Sequence, residues 1–219
     1  MSKNIRADLK ILVIGTSGTG KTSFVQRWTK GQFNEYHKPT IVSEFGFKIY
    51  EYKGKKYRVQ LWDIGGQDKS PSMAKIFARD SHGCLVVSDC SKPETFKDTL
   101  DWKNVMSNEN TFVDGKKLPF VLIQNKVDLI EEKAKLDEIE AQTKELAENN
   151  EFEKYFMTSV KDNINIEETM NYFIEYIVER LEEYAQNGGE VFFDQRRKSS
   201  ITLNNSSIVS KGDPKNNCC

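Results

Sequence analysis

Residues Gly15 to Thr22 read GTSGTGKT, which fits the spacing G-x-x-x-x-G-K-[ST]. Glycines so placed let successive backbone N–H groups curl around phosphate oxygens, and a helix opening at the end of the loop adds partial positive charge. Lys21 has the reach to meet the outer phosphates, and the Thr22 hydroxyl can coordinate Mg²⁺. A glycine-rich turn before a helix is the plainer reading, but it has no need of the Lys-Thr pair. The loop alone does not choose between ATP and GTP.

The base is addressed by a second stretch. Asn125 to Asp128 read NKVD, directly after the apolar run FVLIQ. An aspartate at such a strand end can accept from the guanine N1–H and exocyclic amine together. Adenine has neither donor there, and sites built on such bonds can reject the unmatched analogue by roughly 10⁴-fold. Four polar residues in a loop are commonplace by themselves; downstream of a phosphate loop they gain meaning. Thr158-Ser159-Val160-Lys161 follows another short apolar segment and can offer backbone N–H groups to the guanine oxygen.

Between these motifs lies WDIGGQD, Trp62 to Asp68. Asp63 ends a strand and can hold Mg²⁺ through water. Gly66 offers a backbone N–H with no side chain in the way, and the neutral amide of Gln67 can orient an attacking water. Upstream, Pro39-Thr40 places a hydroxyl in a loop that can reach the same cation. Taken singly each has a plainer role: Asp63 as a strand cap, Gln67 as a solvated loop residue, Thr40 as a turn former.

These loops need strands and helices to hold them. Leu9–Ile14 reads as a buried strand and Thr22–Lys30 as a helix with Phe24, Val25 and Trp28 apolar, closed by Gly31. Glu44–Tyr52 and Lys55–Trp62 form a predicted hairpin turning at Lys53-Gly54. Leu85–Ser88 and Pro119–Gln124 read as further strands. Pro93 opens a helix carrying Phe96, Leu100 and Val105, and residues 132–148 form another helical pattern. In the last helix Ile166, Met170, Phe173, Ile174, Ile177, Val178 and Leu181 share one face, with glutamates opposite. Strands alternating with helices predict an α/β sandwich around a mostly parallel sheet.

Composition sets limits. The 219 residues suit one globular domain with extensions, and a net charge of −1 gives no global pull toward nucleic acid or membranes. MSKNIRAD lacks the apolar stretch of a secretory leader, and no apolar run approaches spanning length, so a cytosolic chain is expected. The four cysteines do not make a disulfide framework; Cys84 and Cys90 are expected as reduced core residues. From Asn187 onward the chain is rich in Ser, Asn and Gly without helical or strand period, and 187–219 reads as a flexible tail.

GTSGTGKT, PT, WDIGGQ, NKVD and TSVK, in this order, resemble the Rab family of small GTPases in the Ras superfamily, over residues 8–184. TFKDTLDWKNVMSNENTFVDGKKLPFVLIQNKVDL, Thr95 to Leu129, is similar to the Rab branch that serves lysosome-related organelles. The resemblance implies a P-loop GTPase domain at 1–186, with a mostly parallel six-stranded sheet, one antiparallel edge strand and helices on both faces. It implies GTP or GDP and Mg²⁺ as ligands. Gly15, Ser17, Gly18, Thr19, Gly20, Lys21, Thr22 and Ser23 would bind the phosphates. Thr22 and Thr40 would hold Mg²⁺ directly and Asp63 through water, while Gly66 senses the γ-phosphate. Gln67 would be catalytic, positioning water. Asn125, Lys126 and Asp128 would hold guanine, helped by Ser159, Val160 and Lys161, with Phe33 packed against the base. Hydrolysis in such enzymes is slow unaided, on the order of 10⁻⁴ s⁻¹, and a partner's arginine accelerates it by roughly 10⁵.

The expected output is therefore a switch that recruits effectors to intracellular membranes in vesicle trafficking. The resemblance implies a monomer cycling between cytosol and the cytoplasmic face of a membrane. Its partners would be effectors, an exchange factor, an activating protein, and the prenylation and dissociation-inhibitor machinery; nucleic acid is not expected. Phe45, Trp62 and Phe77 match the family's aromatic trio at the effector surface. Cys218 and Cys219 match adjacent C-terminal prenylation sites, and two lipid chains anchor stably where one holds marginally. Arg196-Arg197-Lys198 reads equally as a weak lipid-attracting patch or a solvated one.

The pattern breaks in places. Val42 stands where the family usually has glycine, Gly65 where it has alanine, and DKSPS, Asp68 to Ser72, where it has an acidic residue, arginine and an aromatic. The double glycine is Arf-like, but Ser2 replaces the glycine on which Arf proteins are acylated. A nucleotide-binding adaptor with little or no hydrolysis, and an ATP-dependent small-molecule kinase on the same loop, stay open at this point.

Overall fold

A computed structural model describes residues 5–35, 40, 43–66, 76–109 and 111–189. In chain order the elements are β1 (Ile5–Ile14), α1 (Lys21–Lys30), β2 (Ser43–Tyr52), β3 (Lys55–Ile64) and β4 (Gly83–Asp89). They continue with α2 (Pro93–Glu109), β5 (Phe120–Asn125), α3 (Lys133–Asn149), β6 (Lys154–Thr158) and α4 (Ile166–Gln186). The strands form one six-stranded sheet in the order β2-β3-β1-β4-β5-β6. Only β2 runs antiparallel to its neighbour, as the sequence predicts.

The hairpin turn falls where expected. Lys53 and Gly54 both take positive φ, 48° and 70°, which matches the right-handed twist of the flanking strands and lets Tyr52 face Lys55. β1 runs longer than predicted. Its polar start is held by the parallel pairing of Asp8 with Arg58, whose side chains also bond. β6 was legible only as a short apolar segment, because Lys154, Tyr155 and Met157 flank its one fully enclosed aromatic, Phe156.

The last helix seats its predicted apolar stripe against the sheet: Ile166, Met170, Phe173, Ile174, Ile177, Val178 and Leu181 are all buried. Gly83 makes room there, since any side chain would drive into the Phe173 ring. The glutamates on the opposite side of α4 strap the hairpin. Lys48 pairs with Glu167 at 3.1 Å, the Tyr50 hydroxyl donates to Glu175 at 3.0 Å, and Lys53 meets Glu179 at 3.0 Å. Lys55 closes the ladder on Glu182.

Helix α2 departs from its predicted face. Phe96, Leu100 and Val105 are half-buried at its flank, and the deep stripe is Thr95, Thr99, Trp102 and Met106. The two threonines go inside because their hydroxyls bond within the chain, Thr95 to the Lys92 carbonyl at 2.8 Å and Thr99 to that of Phe96 at 2.6 Å. Cys84 and Cys90 are free and buried, as expected.

Strand order reverses at β1, with β3 on one side and β4 on the other. In open α/β sheets the crevice outside the strand ends at such a point is where ligands bind. The loops after β1, β3, β4, β5 and β6 all leave the sheet at this edge.

Candidate functional site: a nucleotide cleft

A cavity of about 430 Å³ opens at that edge. Ser17, Gly18, Gly20, Lys21, Thr22 and Ser23 line one end; Phe33, Asn125, Lys126, Asp128, Val160 and Lys161 line the other; Thr40 and Gly66 stand on its wall. Of the remaining predicted residues, Thr19 is buried behind the loop, where its hydroxyl bonds the Thr16 carbonyl at 3.0 Å. Ser159 stands behind Asp128, donating its hydroxyl to the carboxylate at 2.6 Å. Gly15 lies under Gly66, whose backbone comes so close to Gly15, Ser17 and Lys21 that a side chain would collide with all three. Gln67, Val42, the DKSPS segment, Pro39 and the tail with Cys218 and Cys219 lie outside the described residues.

The two ends of the cleft are bonded to each other. The Asn125 amide donates to the Thr19 carbonyl at 2.9 Å, and the Lys126 ammonium donates to the Gly18 carbonyl at 2.7 Å. Asn125 is held in turn, its Oδ1 accepting from the Thr158 hydroxyl at 3.1 Å and, at a longer 3.3 Å, from the Val160 N–H.

The end lined by Lys21 and Thr22 holds two buried ionisable groups, Lys21 and Asp63. Lys21 is buried, and burial pushes its ammonium down to about 8, against a smaller upward pull from Asp63. Nearby phosphate oxygens would favour its charged form. Asp63 is fully buried, and burial raises its carboxyl above the ordinary range although Thr22, Lys21 and Thr40 pull it down. Its Oδ2 accepts from Thr22 and, at 3.3 Å, from Thr40, whose hydroxyls lie 2.8 Å apart. Its Oδ1 is buried with no partner. A carboxylate oxygen without a donor beside two converging hydroxyls fits a hard divalent cation such as Mg²⁺, completed by phosphate oxygens and water. Among the described residues no cluster of three His, Cys, Asp or Glu side chains could hold a metal by itself.

Several contributing residues escaped the sequence reading. Asp89 pairs with Lys126 at 2.6 Å. Asp98 of α2 accepts from the Thr16 hydroxyl at 2.7 Å, and Arg27 of α1 bonds the Val160 and Lys161 carbonyls. Asn34, Glu35 and Leu129 add to the lining. Only Asp89 had a local signal, as the last residue of an apolar strand. Cys90 beside it is chemically quiet: burial, helped by Asp89 and Asp128, pushes its thiol up to about 12.

Comparison with known proteins gives the family. The Ras family model covers residues 10–179. The chain belongs to the Ras family. Among its relatives, Ras-related protein Rab-32C of Dictyostelium discoideum is 34% identical over 198 residues, 89% of this chain and 84% of that one. Human Ras-related protein Rab-7L1 is 35% identical over 167 residues, 76% of this chain and 80% of its own. Pig Ras-related protein Rab-32 is 30% identical over 213 residues, 96% and 88% of the two chains. These place the GTPase in the Rab branch. It is a GTP hydrolase and a molecular switch of membrane trafficking, and neither the adaptor nor the kinase reading is favoured.

Proposed function

We propose that this Rab-branch GTPase holds GTP or GDP across the cleft, phosphates on Gly15–Ser23 and guanine on Asp128. The observation that carries this is the joining of the two ends: NKVD side chains bond directly to phosphate-loop carbonyls around one cavity. Asp128, oriented by Ser159, would accept from N1–H and the amine; Phe33 would cover the base. Thr22 and Thr40 would hold Mg²⁺ directly and Asp63 through water, and the bound cation would neutralise charge building on the phosphate oxygens. Lys21 would bind the outer phosphates, and Gly66, already at the loop, would present its N–H to the third. Gln67 would orient the attacking water. Loss of the third phosphate would untie Thr40 and Gly66, and partners would read that difference.

Effectors, an exchange factor and an activating protein are the partners this reading implies. Phe45 and Trp62 support an effector surface, their rings stacked at 5.8 Å with Phe45 62% exposed; Phe77 is buried and serves the core. Exposed Phe47 and Ile49 extend the same face of β2. We place the GTPase domain at 1–186 and a lipid-bearing tail at 187–219, with Cys218 and Cys219 prenylated and the protein on the cytoplasmic face of an intracellular membrane.

One preparation of the full chain tests both ends of the cleft. Wild type should retain GTP against excess ATP. Asp128→Ala should lose that preference by roughly 10³-fold or more. Gln67→Leu should keep binding but slow single-turnover hydrolysis. Preference for ATP in the wild type would overturn the reading, and equal hydrolysis by wild type and Gln67→Leu would remove Gln67 from the chemistry.

A further inference from the structure

Arg27 ties the segment that follows its own helix to the Val160–Lys161 loop, more than 130 residues away. From α1 its Nε donates to the Val160 carbonyl at 2.9 Å and its Nη2 to the Lys161 carbonyl at 2.8 Å. Nη1 reaches the Gly31 carbonyl at 3.3 Å, and the guanidinium lies 5.6 Å from the centroid of the Phe33 ring. Two parallel donors on adjacent carbonyls are a task for the planar fork of arginine, which the point charge of lysine does not reproduce.

The consequence follows from peptide planarity. The described chain has no cis peptide bond, so in each unit the carbonyl and the next N–H point in opposite directions. Fixing the Val160 carbonyl therefore fixes the Lys161 N–H. Val160 and Lys161 both line the cavity, while the Val160 N–H keeps only the long contact to Asn125. We infer that Arg27 is a positioning residue for purine selection: its fork aims the Lys161 N–H at the 6-oxo group of the base and steadies Phe33 beside it. This rests on the guanine reading above. Asp128 reads the donors of the base; Arg27 acts, through the loop, on the reading of its acceptor.

The test compares three diphosphates on the full chain with Mg²⁺ present. 6-Thioguanosine diphosphate keeps both donors facing Asp128 but replaces the oxygen by a poor acceptor, whereas inosine diphosphate keeps the oxygen and lacks the amine. Arg27→Ala should shrink the preference for GDP over the thio analogue by about fivefold, the worth of one ordinary hydrogen bond. Its preference for GDP over inosine diphosphate should not change. Arg27→Lys, which keeps charge and stem, should fall between. If affinity for all three drops in parallel with both ratios intact, Arg27 only supports the fold and the inference is overturned. A wild type that fails to prefer GDP over ADP would instead overturn the guanine reading, and this one with it.

Discussion

Single residues already make pH dependence calculable. His82 precedes β4, and its Nδ1 accepts the backbone N–H of Lys10 at 3.1 Å, so the ring must be neutral at that nitrogen. Phe112 meets the ring edge-on at 6.4 Å. Burial pushes its pKa from 6.5 down to about 4, against smaller upward pulls led by Asp80. The unfolded chain takes up a proton below its own pKa and the folded chain does not, so stability falls as pH drops from 6.5 toward 4 and levels off below. His82 keeps some solvent contact, which reduces the loss to about 2 kcal/mol. Denaturant unfolding of wild type and His82→Gln across that range should show a gap that closes on acidification. Most of the residues that line the cleft were legible because each carries its chemistry in its type and spacing. Asp98 and Arg27 were not, because their partners lie 82 and more than 130 residues away and only the folded sheet brings them together.

Among the elements, the segment between α2 and β5 is built as a clip on α4. Arg180 makes a two-pronged bond to Asp114 at 2.8 and 2.9 Å, donates to the Lys117 carbonyl at 3.0 Å, and lies 4.2 Å from the Phe112 ring centroid. Both charged side chains are largely enclosed, 14% and 8% exposed. Arg180→Ala would leave the Asp114 carboxylate with the Lys116 N–H but without its counter-charge, and should cost about 3 kcal/mol. Adding Asp114→Ala should recover part of that, a non-additivity that unfolding at fixed nucleotide concentration would read. The sequence marked this stretch by its similarity to one Rab branch but could not say what it touched. Strand positions were read well where apolar runs were continuous, as in β4 and β5. Helix α2 was misjudged because a threonine is polar in sequence and becomes buriable only when its hydroxyl finds a carbonyl within its own turn.

On the scale of the whole molecule, the proposed tail anchor has its own test. Replacing Cys218 and Cys219 by serine should leave nucleotide binding unchanged, since both lie far along the chain from the cleft residues. It should abolish membrane decoration in fluorescence microscopy, because without prenyl chains only the basic triplet could hold the protein to lipid, at about 1 kcal/mol per charge. Unaltered decoration would sink the anchor. No described helix is long and apolar enough to cross a membrane.

The strap between hairpin and last helix has a mechanical side. Chain leaving residue 189 departs from the C-terminal end of α4, and Glu179 and Glu182, within two turns of that end, grip Lys53 and Lys55 at the hairpin tip. Tension applied there would not peel the helix away by itself. It would be shared across the ladder with β2 and so delivered to the strand whose other end leads to Thr40. A tug at one pole of the molecule is thus routed toward the wall of the cleft at the opposite pole.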